Sequence, residues 1–405
     1  MANGILTPSV IARETLSRLK NNLVAAKKVT RAFDKEFGEV GDTVKVERPI
    51  RYEVKSGKTL QVQDVEMGNT TIVVDQQKHV GIQFDSQDLA LDPVSFGEKF
   101  IEPGVSQLAH EVDKYILGLY DEIPNWAGTP GNDINSFADF AKGPERLDHI
   151  GVPDSMRCGV LSVADSWALL GSQTALSDGG KIVQDAYRRA LIGDIGGVET
   201  FKTQQIRSHT VGSYVSGASC TASAVTYASV MNGAMTQDVG LTGAGNAKTF
   251  LEGDVIQFSG VYDVNPNTKD ALPHLKDFVV RADATSTSGG AVTLTIYPAI
   301  ITSGAHQNCS AAPSSATVTR TGTASTAYRQ NLVYHPKALA LAVRPLPIDP
   351  SMSFAATATD KDTGLAVRIA RQYDINNDNI PCRIDILFGG KAIYPELATR
   401  LSGSA

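Results

Sequence analysis

The stretch FGEKFIEPGVSQLAHEVDKYILGLYDEI, residues 96–123, is the segment long and regular enough to act as a strut for the rest of the chain. Val105, Leu108, Ala109, Val112, Ile116, Leu119 and Ile123 recur at three-then-four spacing, which puts one apolar stripe on one face of a helix. Gln107, Glu111, Asp113, Lys114 and Asp121 form the opposite face, so the helix is expected to lie on a sheet or neighbour with this side in water. Asp92-Pro93 reads as cap and first turn, Pro103-Gly104 as a bend or interruption, and Pro124 as the stop. From Val105 to Ile123 such a rod spans roughly 28 Å at ~1.5 Å per residue.

Around this strut the chain alternates between helical and strand periodicity. Upstream, Thr7-Pro8 opens a helix whose apolar face is Val10, Ile11, Leu16, Leu19 and Leu23, and Arg13, Arg18, Lys20, Lys27, Lys28 and Arg31 make it locally basic. A solvated face explains those charges, and so does a docking arm for an acidic or amphipathic partner. With little sequence around it to cover its stripe, this terminal helix is expected to find its cover on another chain. From Asp42 to Phe84 the period becomes two: Val44, Val46, Ile50, Tyr52 and Val54, then Val80, Ile82 and Phe84, alternate with polar residues. Turns at Ser56-Gly57-Lys58 and Met67-Gly68-Asn69 make this a two- or three-stranded ribbon, too thin to stand without support.

Downstream, Phe137–Leu147, Val163–Leu170 and Ile182–Leu191 read as helices and Cys158–Ser162 as a strand, giving a mixed layer up to about Ile206. From about Ser208 to Asn331 the composition shifts to Ser, Thr, Gly and Ala with little charge and no convincing helix. Strands at Val255–Phe258, Phe278–Ala282 and Val292–Tyr297 suggest a small barrel or sandwich, and Gly240–Lys248 reads as a flexible exposed loop. Mixed structure returns at His335–Ala342, with strands at Leu365–Tyr373 and Cys382–Phe388 and a last piece at Pro395–Leu401.

With 405 residues, 42% of them hydrophobic, the chain can bury two or three cores. A net charge of −6 argues against a protein that mainly coats nucleic acid. No apolar run reaches the ~18 residues of a membrane span, and Met1–Pro8 lacks a secretory start, so the expected place is the cytosol of the producing cell, with no membrane contact. Cys158, Cys220, Cys309 and Cys382 stand singly, as buried free thiols do, although Cys220 and Cys309 share one segment and could bridge. No Gly-x-Ser-x-Gly, phosphate-cradling Gly-x-x-x-x-Gly-Lys or His-Glu-x-x-His pattern occurs, and the histidines are dispersed; no catalytic residue, metal or cofactor is expected. Asp374, Asn376, Asp378 and Asp385 echo a calcium loop, but Asn379 stands where that loop needs Gly and strands flank it, so a polar β-turn is the better reading.

Taken in order, basic arm, ribbon, long helix, mixed layer, β insert and returning strands resemble the major capsid proteins of tailed phages with the Hong Kong 97 (HK-97) type fold. The closer resemblance is to the coat-protein family of the short-tailed Salmonella podophages, which carries an inserted β-barrel. It is carried by Ala25-Ala26-Lys27-Lys28-Val29 at the end of the arm, residues 253–261 (GDVIQFSGV) in the insert, residues 335–342 (HPKALALA) after it, and residues 382–389 (CRIDILFG) near the end. The fold class implied is α+β. Residues 1–40 would be the N-terminal arm, 41–85 the extended β-loop, 86–125 the peripheral domain with its spine helix, and 126–207 the first part of the axial α/β domain. The all-β insert would be 208–331, and 332–405 would return to the axial and peripheral domains.

The resemblance further implies an icosahedral shell of pentamers and hexamers built from copies of this chain around the genome of a tailed phage. The implied partners are a scaffolding protein, a portal protein at one vertex and double-stranded DNA in weak non-specific contact. Arg13, Glu14, Arg18, Lys20, Lys27 and Lys28 of the arm would meet scaffold or neighbours, and Arg51, Tyr52, Lys55 and Lys58 would reach another subunit from the loop. In the family the arm engages scaffold partly through acidic residues; here Glu14 sits among more basic ones, so the charge logic of that contact differs. From the Ser/Thr/Gly-rich insert comes a different reading, a carbohydrate- or surface-binding β module on an α/β carrier.

Overall fold

The computed structural model describes residues 12–13, 15–19, 23–32, 43–62, 67–85, 102–174, 194–222, 234–349, 354–359, 365–375, 377 and 379–404. By contacts the chain forms two compact units, each assembled from separate stretches: Met1–Lys45, Thr71–Ile116 and Leu339–Lys391 in one, and Val46–Thr70, Leu117–Ala338 and Ala392–Ala405 in the other.

In the first unit, helix α1 (Glu102–Gly118) lies along a five-stranded sheet. Val105, Leu108, Ala109, Val112 and Ile116 are all buried, as their spacing predicts. Pro103 and Gly104 do not break the helix, because Pro is tolerated where an N–H would lack an intrahelical partner. The Asp92-Pro93 cap lies outside the described residues. The sheet runs Leu339–Arg344, Asn379–Ala392, Ala366–Arg371, Phe354–Thr359, with Gln76–Asp85 also on the long strand. Tyr115 packs edge-on against Phe388 and donates its hydroxyl to the Gly390 carbonyl at 3.2 Å, fixing the helix over that strand. A Cβ on Gly389 would stand 2.0 Å from the Val73 carbonyl oxygen, so only Gly fits this backbone crossing.

Two expectations change in this unit. Asp113, assigned by periodicity to the wet face of α1, is 1% exposed: its carboxylate accepts the backbone N–H groups of Val24 and Ala26 at 2.7 and 2.8 Å. Burial raises its pKa against the pull of those two bonds. The ribbon also divides. Thr43–Glu47 pairs with Asn69–Val73, but Gln76–Asp85 pairs antiparallel with Asn379–Phe388 through ten residues, a ladder far longer than a hairpin could offer.

In the second unit a six-stranded mixed sheet orders Trp126–Ala127, Ala398–Leu401, Asn331–Tyr334, Cys158–Leu161, Val198–Lys202, Asp194–Ile195. Helix α2 (Phe137–Ile150) is capped by Ser136, whose Oγ accepts from the Asp139 N–H at 3.1 Å, and ended by Gly151 in the left-handed region. Helix α3 (Val163–Thr174) follows, with Ser162 Oγ accepting from the Asp165 N–H at 3.1 Å. The proposed helix at Ile182–Leu191 falls outside the described residues.

The Ser/Thr/Gly-rich stretch closes into a barrel ordered Gln237–Thr242, Val292–Tyr297, Ala271–Val280, Val255–Val264, Thr317–Arg320, Gly217–Ala222. Val239 and Leu241, Ile256 and Phe258, Phe278 and Val280, Leu294 and Ile296 point inward at period two and form one core. The reading of Gly240–Lys248 as an exposed loop is corrected: Gly240 to Thr242 belong to a barrel strand, and Ala244 is fully buried. Gly243 turns the chain at φ 76°, where a Cβ would fall 1.6 Å from the Ser219 carbonyl. All four cysteines are free and buried; burial pushes Cys220 to about 11 and Cys309 to about 12, so neither is poised as a thiolate. Asp374 and Asn379 close the hairpin at residues 374–379, with the Asp374 N–H on the Asn379 carbonyl at 2.8 Å.

Replacing Asp113 with Ala leaves the N–H groups of Val24 and Ala26 without their acceptor. The expected loss is ~1–3 kcal/mol of stability in urea unfolding, with faster hydrogen exchange confined to the amides of Val24 and Ala26 and their neighbours. Unchanged exchange there would mean that the carboxylate does not hold this segment.

Candidate assembly surfaces

Among the described residues, the three most exposed large apolar side chains, Val54, Leu60 and Val62, lie in one segment. Tyr52 is 66% exposed, Val54 94%, Leu60 86% and Val62 83%. The expected strand over Ile50–Val54 is absent: residues 48–62 have no sheet pairing in this chain, since alternation specifies a strand only when a second backbone lies alongside. Arg51, Tyr52, Lys55 and Lys58 all lie in this segment in water, with Lys55 at 2.7 Å from Glu53.

The root of this segment is held firmly. Arg48 is 7% exposed; its Nη1 donates to Glu396 Oε1 at 3.0 Å and its Nη2 to the Tyr297 hydroxyl at 2.9 Å, and that hydroxyl donates to the same carboxylate at 2.6 Å. Burial would raise the Glu396 pKa, but Arg48 and the Tyr297 hydroxyl outweigh it and hold the carboxyl below its ordinary range.

The arm behaves differently from expectation. Leu16, Leu19 and Leu23 are buried within this chain at 7%, 0% and 2% exposure, so their cover is not a second molecule. The reason is the Asp113 anchor together with Thr30, which bridges to Ala340 in parallel; the Thr30 N–H donates to the Leu339 carbonyl and the Leu341 N–H to the Thr30 carbonyl, both at 3.0 Å. Of the proposed contact residues Arg13 and Lys27 are exposed and Arg18 and Lys28 half-buried, while Glu14 and Lys20 lie outside the described residues. The arm candidates belong to the first unit and the loop candidates to the second.

Sequence reading missed the buried charges that join the barrel to the mixed layer. Arg146 of α2 reaches Asp277 at 2.7 Å and Asp263 at 3.7 Å; Lys276 meets Asp263 at 2.9 Å; Asp277 also accepts from Gln257 at 2.7 Å and from the Trp126 N–H at 3.1 Å. Arg400, fully buried, donates to the carbonyls of Ile123 at 2.9 Å and Gly253 at 2.8 Å beneath the rings of Tyr120 and Trp126. Burial lowers its pKa to about 10. The signal available in sequence was weak: the Arg146 side chain belongs to an amphipathic helix where a solvated charge is the ordinary reading.

Long uncovered apolar side chains on a tightly rooted segment mark a surface fit for contact with another protein chain, as a structural subunit presents. A family model described as P22 coat protein, gene protein 5, matches residues 3–403, and the chain belongs to that family. It is a major capsid protein of the HK-97-type fold, and its copies form the icosahedral shell of a bacteriophage virion. No curated protein matches the chain. Among solved structures it is similar to one from Mycobacterium phage Che8, at 13% identity and TM-score 0.48 over 93% of this chain and 90% of that one. It is also similar to the capsid of Ralstonia phage GP4, at 7% identity and TM-score 0.44 over 91% and 85% of the two chains. No described helix is long and apolar enough to cross a membrane.

Next to the joint, burial and the neighbouring Glu122 and Glu252 push Asp121 up to about 6. Between the ordinary carboxylate value near ~4 and that value the folded chain holds more protons than the unfolded one, so Asp121 makes stability fall as pH rises through this window. Asp121→Asn is therefore expected to raise stability at pH 7 by on the order of 1–3 kcal/mol and to flatten the pH 4–6 dependence of urea midpoints. A variant less stable than the parent at pH 7 would show that the carboxylate is engaged in a way the geometry does not indicate.

Proposed function

We propose that residues 48–62 are the part of the extended loop that lies on a neighbouring subunit, with Arg51, Tyr52, Lys55 and Lys58 among its contacts, and that this contact is a main source of shell cohesion. The observation that supports it is the exposure of Tyr52, Val54, Leu60 and Val62. Full burial of such a side chain stabilises by about 1.5–3 kcal/mol, so four of them covered at each of many repeated contacts make a durable shell from individually modest interfaces. A head-to-tail contact of this kind closes into rings, which suits pentamers and hexamers.

In the same reading Arg13, Glu14, Arg18, Lys20, Lys27 and Lys28 face a scaffolding protein during assembly in the host cytoplasm. The burial of the arm's apolar face favours a contact made by its charged side. A portal protein at one vertex and weakly held double-stranded DNA complete the set of partners, and the chain carries out no chemical step. The domain division follows the family pattern: arm 1–40, extended loop 41–85, peripheral domain 86–125, axial domain beginning with 126–207, insert 208–331, and a return to the axial and peripheral domains over 332–405. The barrel supports the boundary pair of the insert. A carbohydrate-binding insert is less well supported, because Tyr214, Phe250, Phe258 and Phe278 are spent in the barrel core.

The test is the variant Y52S/V54S/L60S/V62S. Its unfolding free energy as a free subunit is expected to stay within about 0.5 kcal/mol per substitution, because these side chains touch little in the single chain. Its yield of closed shells with scaffolding protein, counted by negative-stain microscopy, is expected to drop severely. Normal shell yield would remove the loop from the assembly contact.

A further inference from the structure

Where the chain leaves its first strand at Arg48, a cavity of about 240 Å³ opens among the root of the exposed loop, the barrel and the mixed layer. Its charged lining comprises Arg48, Arg51, Lys276, Lys337, Asp263 and Glu396, and Met235 and Val264 belong to its apolar wall. The two carboxylates are already engaged: Glu396 by Arg48 at 3.0 Å, and Asp263 by Lys276 at 2.9 Å with Arg146 at 3.7 Å and His274 at 3.5 Å. Arg51 and Lys337 are exposed and have no ion pair among the described residues, which leaves the lining with two surplus positive charges. Met235 and Val264, at 5% and 3% exposure, lie inside. Positive charge in water and apolar surface within match an occupant with an anionic head and an apolar body. A cavity of ~150 Å³ takes benzene, so this one admits a body of roughly eight to ten non-hydrogen atoms.

We propose that this cavity binds a single carboxylate carried on an apolar body of that size, and that the occupant ties the root of the loop to the barrel. The chemistry has two sources, a free amphiphile or an acidic residue beside an apolar one on a second copy of the chain, and the test separates them.

Octanoate and octanol, which share a body and differ in charge, are titrated into the free full-length subunit by calorimetry. Octanoate is expected to bind with a Kd near or below ~1 mM, at least about fivefold tighter than octanol. In R51A/K337A the two ligands are expected to bind within twofold of each other, and Pro266→Trp, which adds bulk to the half-buried lining, is expected to abolish both while the circular dichroism spectrum stays that of the parent. Octanoate binding retained by assembled shells identifies a free amphiphile as occupant. Binding lost in shells, with K337A alone impaired in shell yield, identifies a neighbouring copy. No binding to the free subunit, equal binding of octanol, an octanoate preference that survives R51A/K337A, or full binding by a folded Pro266→Trp variant would each overturn the proposal.

Discussion

The second unit depends on one buried cation. Arg400, fully out of water, donates to the carbonyl of Ile123 at the end of the strut and to that of Gly253 just before the barrel strand Val255–Val264, while its own strand pairs with Asn331–Tyr334. Moving a guanidinium out of water is costly, which is why its pKa falls to about 10; neutral carbonyls and the faces of Tyr120 and Trp126 offset that cost without a formal salt bridge. Such a group fixes geometry more than it adds stability. Three stretches remote in sequence have to arrive in register, or a charge is left unsolvated.

The same logic recurs at the Arg146–Asp277–Asp263–Lys276 cluster and at the Arg48–Tyr297–Glu396 triad. Each joins segments that a purely apolar contact would leave free to slide. The result is a rigid root for a segment that itself has no cover in the single chain. Stiffness at Arg48 and exposure from Tyr52 to Val62 belong together in the proposed contact: a loop docking on a neighbour would lose less entropy with its base already fixed. The arm follows the opposite strategy, with its leucines covered by the parent chain and Arg13 and Lys27 exposed.

Periodicity was a good guide wherever a side chain's position on its own element settled its fate. The α1 stripe, the strand Val292–Tyr297 and the helices beginning at Phe137 and Val163 are all legible because local spacing selects one face and the core accepts it. It misled where the decisive partner was distant. Asp113 reads as solvated, yet two N–H groups from residues 24 and 26 need an acceptor and find it there. Ile50 to Val54 reads as a strand, yet no backbone arrives to pair with it. Gly240 and its neighbours read as a loop, yet barrel closure places Gly240 beside Thr293 as a strand residue.

By itself, the amino-acid order determined the succession of elements, the all-β character of the insert and the family resemblance, because these rest on local pattern and on motif order along the chain. Only the tertiary structure decided which charges are buried, which apolar faces are covered and which remain bare. Those outcomes depend on groups more than a hundred residues apart meeting within about 3 Å, as Arg48 and Glu396 do, and nothing in local spacing encodes that meeting.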